Sequence, residues 1–298
     1  MLPPKEITPM DTLAHLREYW KLVRFEHAIM LAVAVLIAIV ITLGQIPEFD
    51  QLFYLALLVP IFSEVGSFAL NDYMDREADR INGMTERPLV KGTIQPCSAL
   101  ILSAASFGIS MIAGFLINEI AFMIAVIYNA FAALYNIKLK DLPLVGNFFI
   151  ATTMAVPFIF GAYVYTSSPP EVLWDIALLG FIAGLAREIV KSVEDMEGDR
   201  EARKSKTLPI LIGKGPSLFI ASMLFLLFIP LTVVPYMMDL SLHFASGFFL
   251  FIADISILIL ALYLLYARED KTFSLTRKYS LAALFCGLLS LLLASLGM

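Results

Sequence analysis

Two short acidic stretches hold the residues in this chain best suited to chemistry. The first, Asn71-Asp72-Tyr73-Met74-Asp75-Arg76-Glu77-Ala78-Asp79, reads NDxxDxxxD, and the second, Asp195-Met196-Glu197-Gly198-Asp199, reads DxxxD. At about 100° per residue, spacings of three and four put each set of carboxylates on one helical face. Crowded carboxylates resist joint ionisation, so they want a cation between them. Oxygen-only clusters with no His or Cys nearby suit a hard ion, and Mg²⁺ usually completes its octahedron with water and substrate phosphates. Each stretch lies at the mouth of an apolar segment. The pattern predicts a diphosphate held by magnesium at a membrane surface.

The elements that must position these acids are membrane helices. The chain has 298 residues, of which 59% are hydrophobic and 16% charged. That is the composition of an integral membrane protein, and nothing in it points to a nucleic-acid partner. An all-α fold with nine spans is expected, at 26–44, 52–71, 97–117, 119–136, 143–165, 172–194, 216–237, 243–266 and 278–297. Each is long enough for a hydrocarbon core of about 30 Å. The spans around Asn118-Glu119 are so tightly joined that they predict a helical hairpin. No stretch separates off as a soluble domain, so 1–298 reads as one intramembrane domain.

All 21 Lys and Arg residues fall on one set of connections or the helix ends beside them. They lie before span 1 (Lys5, Arg17, Lys21, Arg24), after span 2, after span 4, around the end of span 6, and between spans 8 and 9 (including Arg268 and Lys271). The remaining connections carry none. So complete a bias places the N-terminus in the cytoplasm, the C-terminus outside, and both acidic motifs facing the cytoplasm. Cys97 and Cys286 are far apart and near that same side, which favours the reduced state. Residues 1–20, with Leu13, Leu16, Tyr19 and Trp20, suit an amphipathic interfacial helix.

NDYMDREADRIN, followed by TERPLVKG, and EDMEGDREARKSKTLPILIG resemble the two signature regions of the UbiA superfamily of intramembrane prenyltransferases. The resemblance covers the whole chain, with the motifs after spans 2 and 6. It implies a helical bundle around a central cavity, where a prenyl diphosphate bound through Mg²⁺ gives its prenyl group to a lipophilic acceptor within the lipid. Asn71, Asp72, Asp75 and Asp79 would then hold one magnesium, and Asp195 and Asp199 a second. Glu77, Glu194 and Glu197 are weaker candidates.

Ionising an allylic C–O bond builds negative charge on the leaving diphosphate, and fixed cations lower that barrier. Arg87 and Lys91 follow the first motif, and Lys138 and Lys140 follow span 4. Tyr135 with either lysine fits the family's Tyr-then-basic pattern. Arg187, Lys191, Asp195 and Asp199 recur every four residues. The two cations of that stripe either touch phosphate or only neutralise the acids. Arg24 and His27 stand where many members of the family carry Arg-x-x-Asn on the acceptor side.

Glu64 lies inside span 2, on a stripe with residues 68, 71 and 75. A lone carboxylate at that depth costs about 2.5–3.5 kcal/mol on insertion scales, so it should face a cavity or a partner. Asp254 in span 8 reads as structural or interhelical. Asn129, Asn136 and Asn147 are placed to line a polar cavity, and Pro157, Pro230 and Pro235 to kink spans 5 and 7. Most of the 23 Phe and 11 Tyr serve packing, although some could line a channel for an isoprenoid tail.

The first functional reading is therefore Mg²⁺-dependent prenyl transfer to an aromatic quinone precursor, because RFEHAIM at span 1 looks like aromatic-acceptor members. The second is transfer to geranylgeranylglyceryl phosphate in ether-lipid synthesis, and a porphyrin-type acceptor is a third. A different class, an ion-coupled transporter, would want its acids near mid-bilayer, where only Glu64 and Asp254 lie. Topology is directly testable. Single cysteines at Gly92 and Gly215 should label from the cytoplasmic side and those at Gln45 and Ser168 from outside; any exchange between the pairs refutes the orientation.

Overall fold

A computed structural model describes residues 12–81, 83–142, 144–203, 206–266 and 270–298, all in helices and short connections. Lys5, Lys204 and Arg268 lie outside the described residues. The chain opens with α1 (Thr12–Val23) and α2 (Phe25–Leu43), then the long α3 (Gln51–Ile81) and the single turn α4 (Pro88–Lys91). A hairpin of α5 (Pro96–Ile117) and α6 (Glu119–Ile137) follows, then α7 (Val145–Thr153), α8 (Val156–Tyr165) and α9 (Glu171–Glu194). After the short α10 (Met196–Gly198) and α11 (Leu208–Ile212) come α12 (Lys214–Leu231), α13 (Val234–Met238), α14 (Phe244–Tyr266) and α15 (Asp270–Ser295).

Among the described residues, seven helical segments are long and apolar enough to cross a membrane, and the pair α7 and α8 makes eight if counted as one span. The remaining expected span, the sixth (172–194), coincides with α9, a 24-residue helix whose Asp175, Arg187, Glu188, Lys191 and Glu194 make it less apolar than the rest. Span 5 is broken where Pro157 enters: α7 and α8 meet at 43°. Pro at the start of a helix costs nothing but cannot continue the preceding one. Pro230 instead sits within α12, and Pro235 opens α13.

Lipid offers no hydrophobic drive between helices, so close approach and interhelical hydrogen bonds must hold them together. The α5–α6 hairpin turns on Asn118 alone. Its side-chain oxygen accepts from the Ala121 amide at 2.8 Å, and its amide donates to the Tyr163 carbonyl of α8 at 2.8 Å. Ser63 pairs with Ser110 at 2.8 Å, and Ser103 donates to the Gly66 carbonyl at 2.8 Å, locking α3 to α5. In span 8, Asp254 accepts from Thr232, which caps the end of α12, at 3.1 Å, the interhelical part its sequence suggested. Both cysteines are free.

The three asparagines expected to line a cavity do otherwise. Asn136 donates to the Ala132 carbonyl at 2.9 Å and Asn147 to the Ser192 hydroxyl at 2.9 Å, while Asn129 reaches toward the Phe107 carbonyl at 3.5 Å. Each amide nitrogen finds a carbonyl or hydroxyl, while the Asn129 and Asn136 side-chain oxygens are buried with no partner among the described residues.

Gly180 of α9 marks the closest approach. A Cβ there would fall 2.3 Å from the Met154 carbonyl oxygen at the α7–α8 break. Overpacking of this kind costs about 1–3 kcal/mol. Gly180→Ala should therefore lower the melting temperature in detergent, whereas Gly108→Ala, where a Cβ meets nothing within 4 Å, should not. Equal melting of the two variants would contradict this packing.

Candidate active site

The first motif rides on the overhanging end of α3. Thirty-one residues make a helix about 46 Å long, well beyond a core of about 30 Å, so its last turns stand clear of the hydrocarbon. Asp72, Asp75 and Asp79 face inward, with 2%, 7% and 6% exposure, and Asn71 is half-buried beside them. Arg76, Glu77 and Arg80 face out, where Arg80 and Glu77 form a fully surface pair at 2.7 Å. The helical periodicity expected of this motif is present, and it excludes Glu77 from the inner cluster.

The inward acids meet cations from three other parts of the chain. Arg24, at the joint of α1 and α2, donates to Asp72 at 3.0 Å. Arg87, just before α4, donates to Asp72 at 3.0 Å and to Asp79 at 2.7 Å, bridging the two. Lys140 bonds Asp75. Mutual carboxylate repulsion, expected from the sequence, is thus already relieved by fixed cations. No group of three metal-ligating side chains stands ready among the described residues. Charges taken out of water must be paired, and the nearest basic groups supply the pairing.

The donors around these acids nonetheless fit a hard divalent ion. Asp72, Asp75 and Asp79 offer carboxylate oxygens and Asn71 an amide oxygen, and Arg87 shows that Asp72 and Asp79 can share one positive group.

The lysine after span 4 is now fixed. A single 3₁₀ turn over Leu139–Asp141 brings Lys140 against Asp75, while Lys138 remains exposed. Gly146 permits this turn to pack on α7, because a Cβ there would come within 3.1 Å of the Lys140 Cα and 3.2 Å of the Tyr135 ring. Tyr135 is buried, its ring tilted against Phe149 at 5.3 Å.

Other basic residues are committed elsewhere. Lys91 pairs with Glu18 of α1 at 3.9 Å. Burial pushes the Glu18 carboxyl up, but its bonds to Thr93 and Lys21 and the charge of Lys91 together hold it below its ordinary range. Arg187 donates to the Ser280 hydroxyl at 3.1 Å and the Arg277 carbonyl at 3.3 Å, so it ties α9 to α15 and leaves the acidic stripe of its own helix. Lys191 stays on that helix, 3.4 Å from Glu188. A long side chain chooses partners across helices, which spacing along one helix cannot reveal. The sequence did not single out Glu18, Thr93 or Arg277; only the position of Glu18 opposite Leu13, Leu16 and Trp20 on α1 marked an inward face.

The second motif lies where α9 ends. Asp195 and Asp199 are half-buried, and the Asp199 amide donates to the Asp195 carbonyl at 2.9 Å. Asp199–Arg203 forms a wide helical turn that packs against α3, bringing the two motifs together. Arg277 donates to Glu194 at 2.5 Å and lies within the field of Asp195.

Below the acids, the Arg24 guanidinium lies 4.5 Å above the Phe68 ring, whose edge meets His27 at 5.5 Å. Two apolar hollows lie deeper. One, of about 120 Å³, is lined by residues including Met30, Ala34, Gly180, Phe228 and Leu288. The other, of about 30 Å³, is bounded by residues including Pro60, Ser63, Tyr128 and Pro157, and Leu31 borders both.

Against known proteins, the model of the UbiA prenyltransferase family matches residues 31–285. Digeranylgeranylglyceryl phosphate synthase of Archaeoglobus fulgidus is 34% identical over 92% of this chain and 94% of its own length. The Methanosarcina mazei protein of the same name is 32% identical over 92% and 99%. A solved structure described as digeranylgeranylglyceryl phosphate synthase in membranes superposes with a TM-score of 0.73 at 29% identity, covering 96% of this chain and 100% of that one. A UbiA homologue from Archaeoglobus fulgidus, solved with GPP and Mg²⁺, shares the fold with a TM-score of 0.63 at 19% identity, over 94% and 100%. With its acids, basic residues and helices in this order, the chain is a multi-pass membrane prenyltransferase and belongs to the UbiA prenyltransferase family.

Proposed function

We propose that this enzyme transfers a geranylgeranyl group from its diphosphate to geranylgeranylglyceryl phosphate, forming the second ether bond of a membrane lipid. The observation that carries the reading is the set of inward acids, Asp72, Asp75 and Asp79, capped by Arg24, Arg87 and Lys140 above apolar hollows. The acceptor rests on relatives of that name, which are similar along nearly the whole chain. An aromatic quinone acceptor rested on seven residues at span 1, so the broader similarity outweighs it. In this reading residues 1–298 form one domain with nine spans, α9 included, and its motifs face the cytoplasm.

Asn71, Asp72, Asp75 and Asp79 would hold one magnesium, and Asp195 and Asp199 another. Magnesium, when bound, supplies positive charge against which a diphosphate can leave. The chain's own cations do the rest. Arg24, Arg87 and Lys140 turn from the carboxylates to the diphosphate oxygens as these arrive, orienting the donor and stabilising charge on the leaving group. Lys191, Lys138 and Lys91 stand further out, at the rim. The aliphatic walls exclude water, so the allylic carbon meets the acceptor before it meets solvent.

Two outcomes test this. Labelled geranylgeranyl diphosphate, offered with geranylgeranylglyceryl phosphate, hydroxybenzoate or dihydroxynaphthoate, should yield product from the glycerol acceptor; prenylated aromatic product alone would overturn the acceptor.

Asp72→Ala and Asp195→Ala should each cut transfer at least about 10²–10³-fold. They should differ in stability. Asp72→Ala strands the partly buried Arg24 guanidinium and leaves Arg87 only Asp79, so it should lower the metal-free melting temperature, while Asp195→Ala should barely move it. Near-normal turnover in both variants would end the site assignment.

A further inference from the structure

Glu64 is the carboxylate that nothing so far employs. It lies within α3, eight residues before Asp72, a rise of about 12 Å toward the bilayer interior. Helical side chains tilt toward the N-terminus, so Asp72 and Glu64 lean the same way and that separation is kept. Phe68 stands between them, with Arg24 over its ring. Arg24 gives its hydrogen bond to Asp72 and not to Glu64. Among the described residues, Glu64 makes no hydrogen bond or ion pair. Its side chain is only half-buried, although the helix around it lies at membrane depth. A carboxylate that is unpaired at this depth and partly accessible belongs to an internal space that receives a polar group.

The surroundings say what that group is. Pro60, one turn deeper, and Ser63, its neighbour, line the smaller apolar hollow together with Tyr128. The Tyr128 phenol lies within the field of Glu64, and Ser63 is occupied by Ser110. Glu64 therefore stands between an acidic mouth, where a diphosphate sits, and a greasy recess, where a lipid tail sits. A group held at that level belongs to the polar joint of an amphiphile.

We propose that Glu64 is the base that takes the proton from the acceptor's hydroxyl as the new ether bond forms; this rests on the hydroxyl-acceptor reading above. The C1–O bond of the donor breaks with its electron pair leaving on the diphosphate. A lone pair of the acceptor hydroxyl forms the new C1–O bond. The O–H electron pair stays on that oxygen, and the proton passes to a carboxylate oxygen of Glu64. The proton later leaves to the released diphosphate, which balances the reaction without any further reactant. Glu64 thereby touches the reacting atoms and is a catalytic residue.

Glu64→Gln keeps the shape and removes the base, while Glu64→Asp keeps the base and shortens its reach. With geranylgeranyl diphosphate and geranylgeranylglyceryl phosphate, Glu64→Gln should lower kcat by about 10²–10⁴-fold, the range for a lost general base, with the KM of both substrates little changed. Without acceptor, its slow release of diphosphate into water should match wild type, because ionisation of the donor belongs to the acids and cations above. The wild-type rate should fall as pH falls and the base is protonated, and this limb should vanish in Glu64→Gln. The charged or titratable groups facing Glu64 are Arg24 at the α1–α2 joint and Tyr128 of α6, with His27 one turn from Arg24 and the uncharged Ser110 on α5. Glu64→Asp should retain the limb at reduced kcat.

Unchanged kcat in Glu64→Gln, an acceptor KM raised with kcat intact, or an equal loss of acceptor-free diphosphate release would each overturn the proposal. If wild type prenylates a different acceptor, the function above fails instead, and the same comparison with that acceptor decides Glu64. Unchanged melting of the variants would show that the loss is chemical; a collapsed Glu64→Gln with a stable, fully active Glu64→Ala would refute the base.

Discussion

Three carboxylates withdrawn from water at the end of one helix are the constraint around which the rest is arranged. None of Asp72, Asp75 and Asp79 is affordable alone in its buried position, so each draws a cation from elsewhere in the chain. Those cations come from the α1–α2 joint, from the segment before α4 and from the 3₁₀ turn after α6. The ionic demand of a single face therefore dictates where three connections end. It also explains why the connections at this end of the bundle gather around α3 rather than trailing as solvated tails. Because the acids are neutralised in this way, a diphosphate binding as proposed would exchange one set of charge pairs for another and leave no charge bare.

The remainder of the bundle is held by a different economy. Side chains such as Asn118, Ser63, Ser103 and Thr232 join helices through single hydrogen bonds, worth on average about 0.6 kcal/mol each in a membrane protein. Close backbone contact at Gly180 and Gly161 adds packing where a methyl group would not fit. Many weak joints suit the proposed function, in which the hollows would admit long apolar chains from the side. A rigid charged seam on one face and loosely stapled helices beneath it divide the tasks of gripping a headgroup and accommodating a tail.

Features that belong to one helix were legible in the sequence. The inward placement of Asp72, Asp75 and Asp79 follows from their spacing, the hairpin from the absence of any connection at Asn118, and the break near Pro157 from proline geometry. Arg24 was marked by its position at the start of span 1. What escaped were choices made across the bundle. Lys91 turned to Glu18, Arg187 to Ser280, Asn147 to the Ser192 hydroxyl of α9, and Asn136 to the Ala132 carbonyl of its own helix. Lys138 and Lys140 differ by two residues, and only the 3₁₀ turn decides which faces Asp75. Long polar side chains answer to whatever lies within their reach in space, and a linear pattern carries no record of that.

The joint at Arg24 has a mechanical side. This residue holds a left-handed backbone, φ 46° and ψ 55°, which a side-chain-bearing residue adopts at a cost of about 1–3 kcal/mol. It turns α1 out of the line of α2, so that Leu13, Leu16 and Trp20 lie exposed on one side while Glu18 and Leu22 dock beside α4. An apolar stripe of this kind floats at the boundary of headgroups and acyl chains. The same residue that sets this waterline also grips Asp72, so the proposed reaction centre is moored at a fixed draught. In the proposed function, two lipids whose phosphates lie in that plane would then meet there without either being lifted from the bilayer.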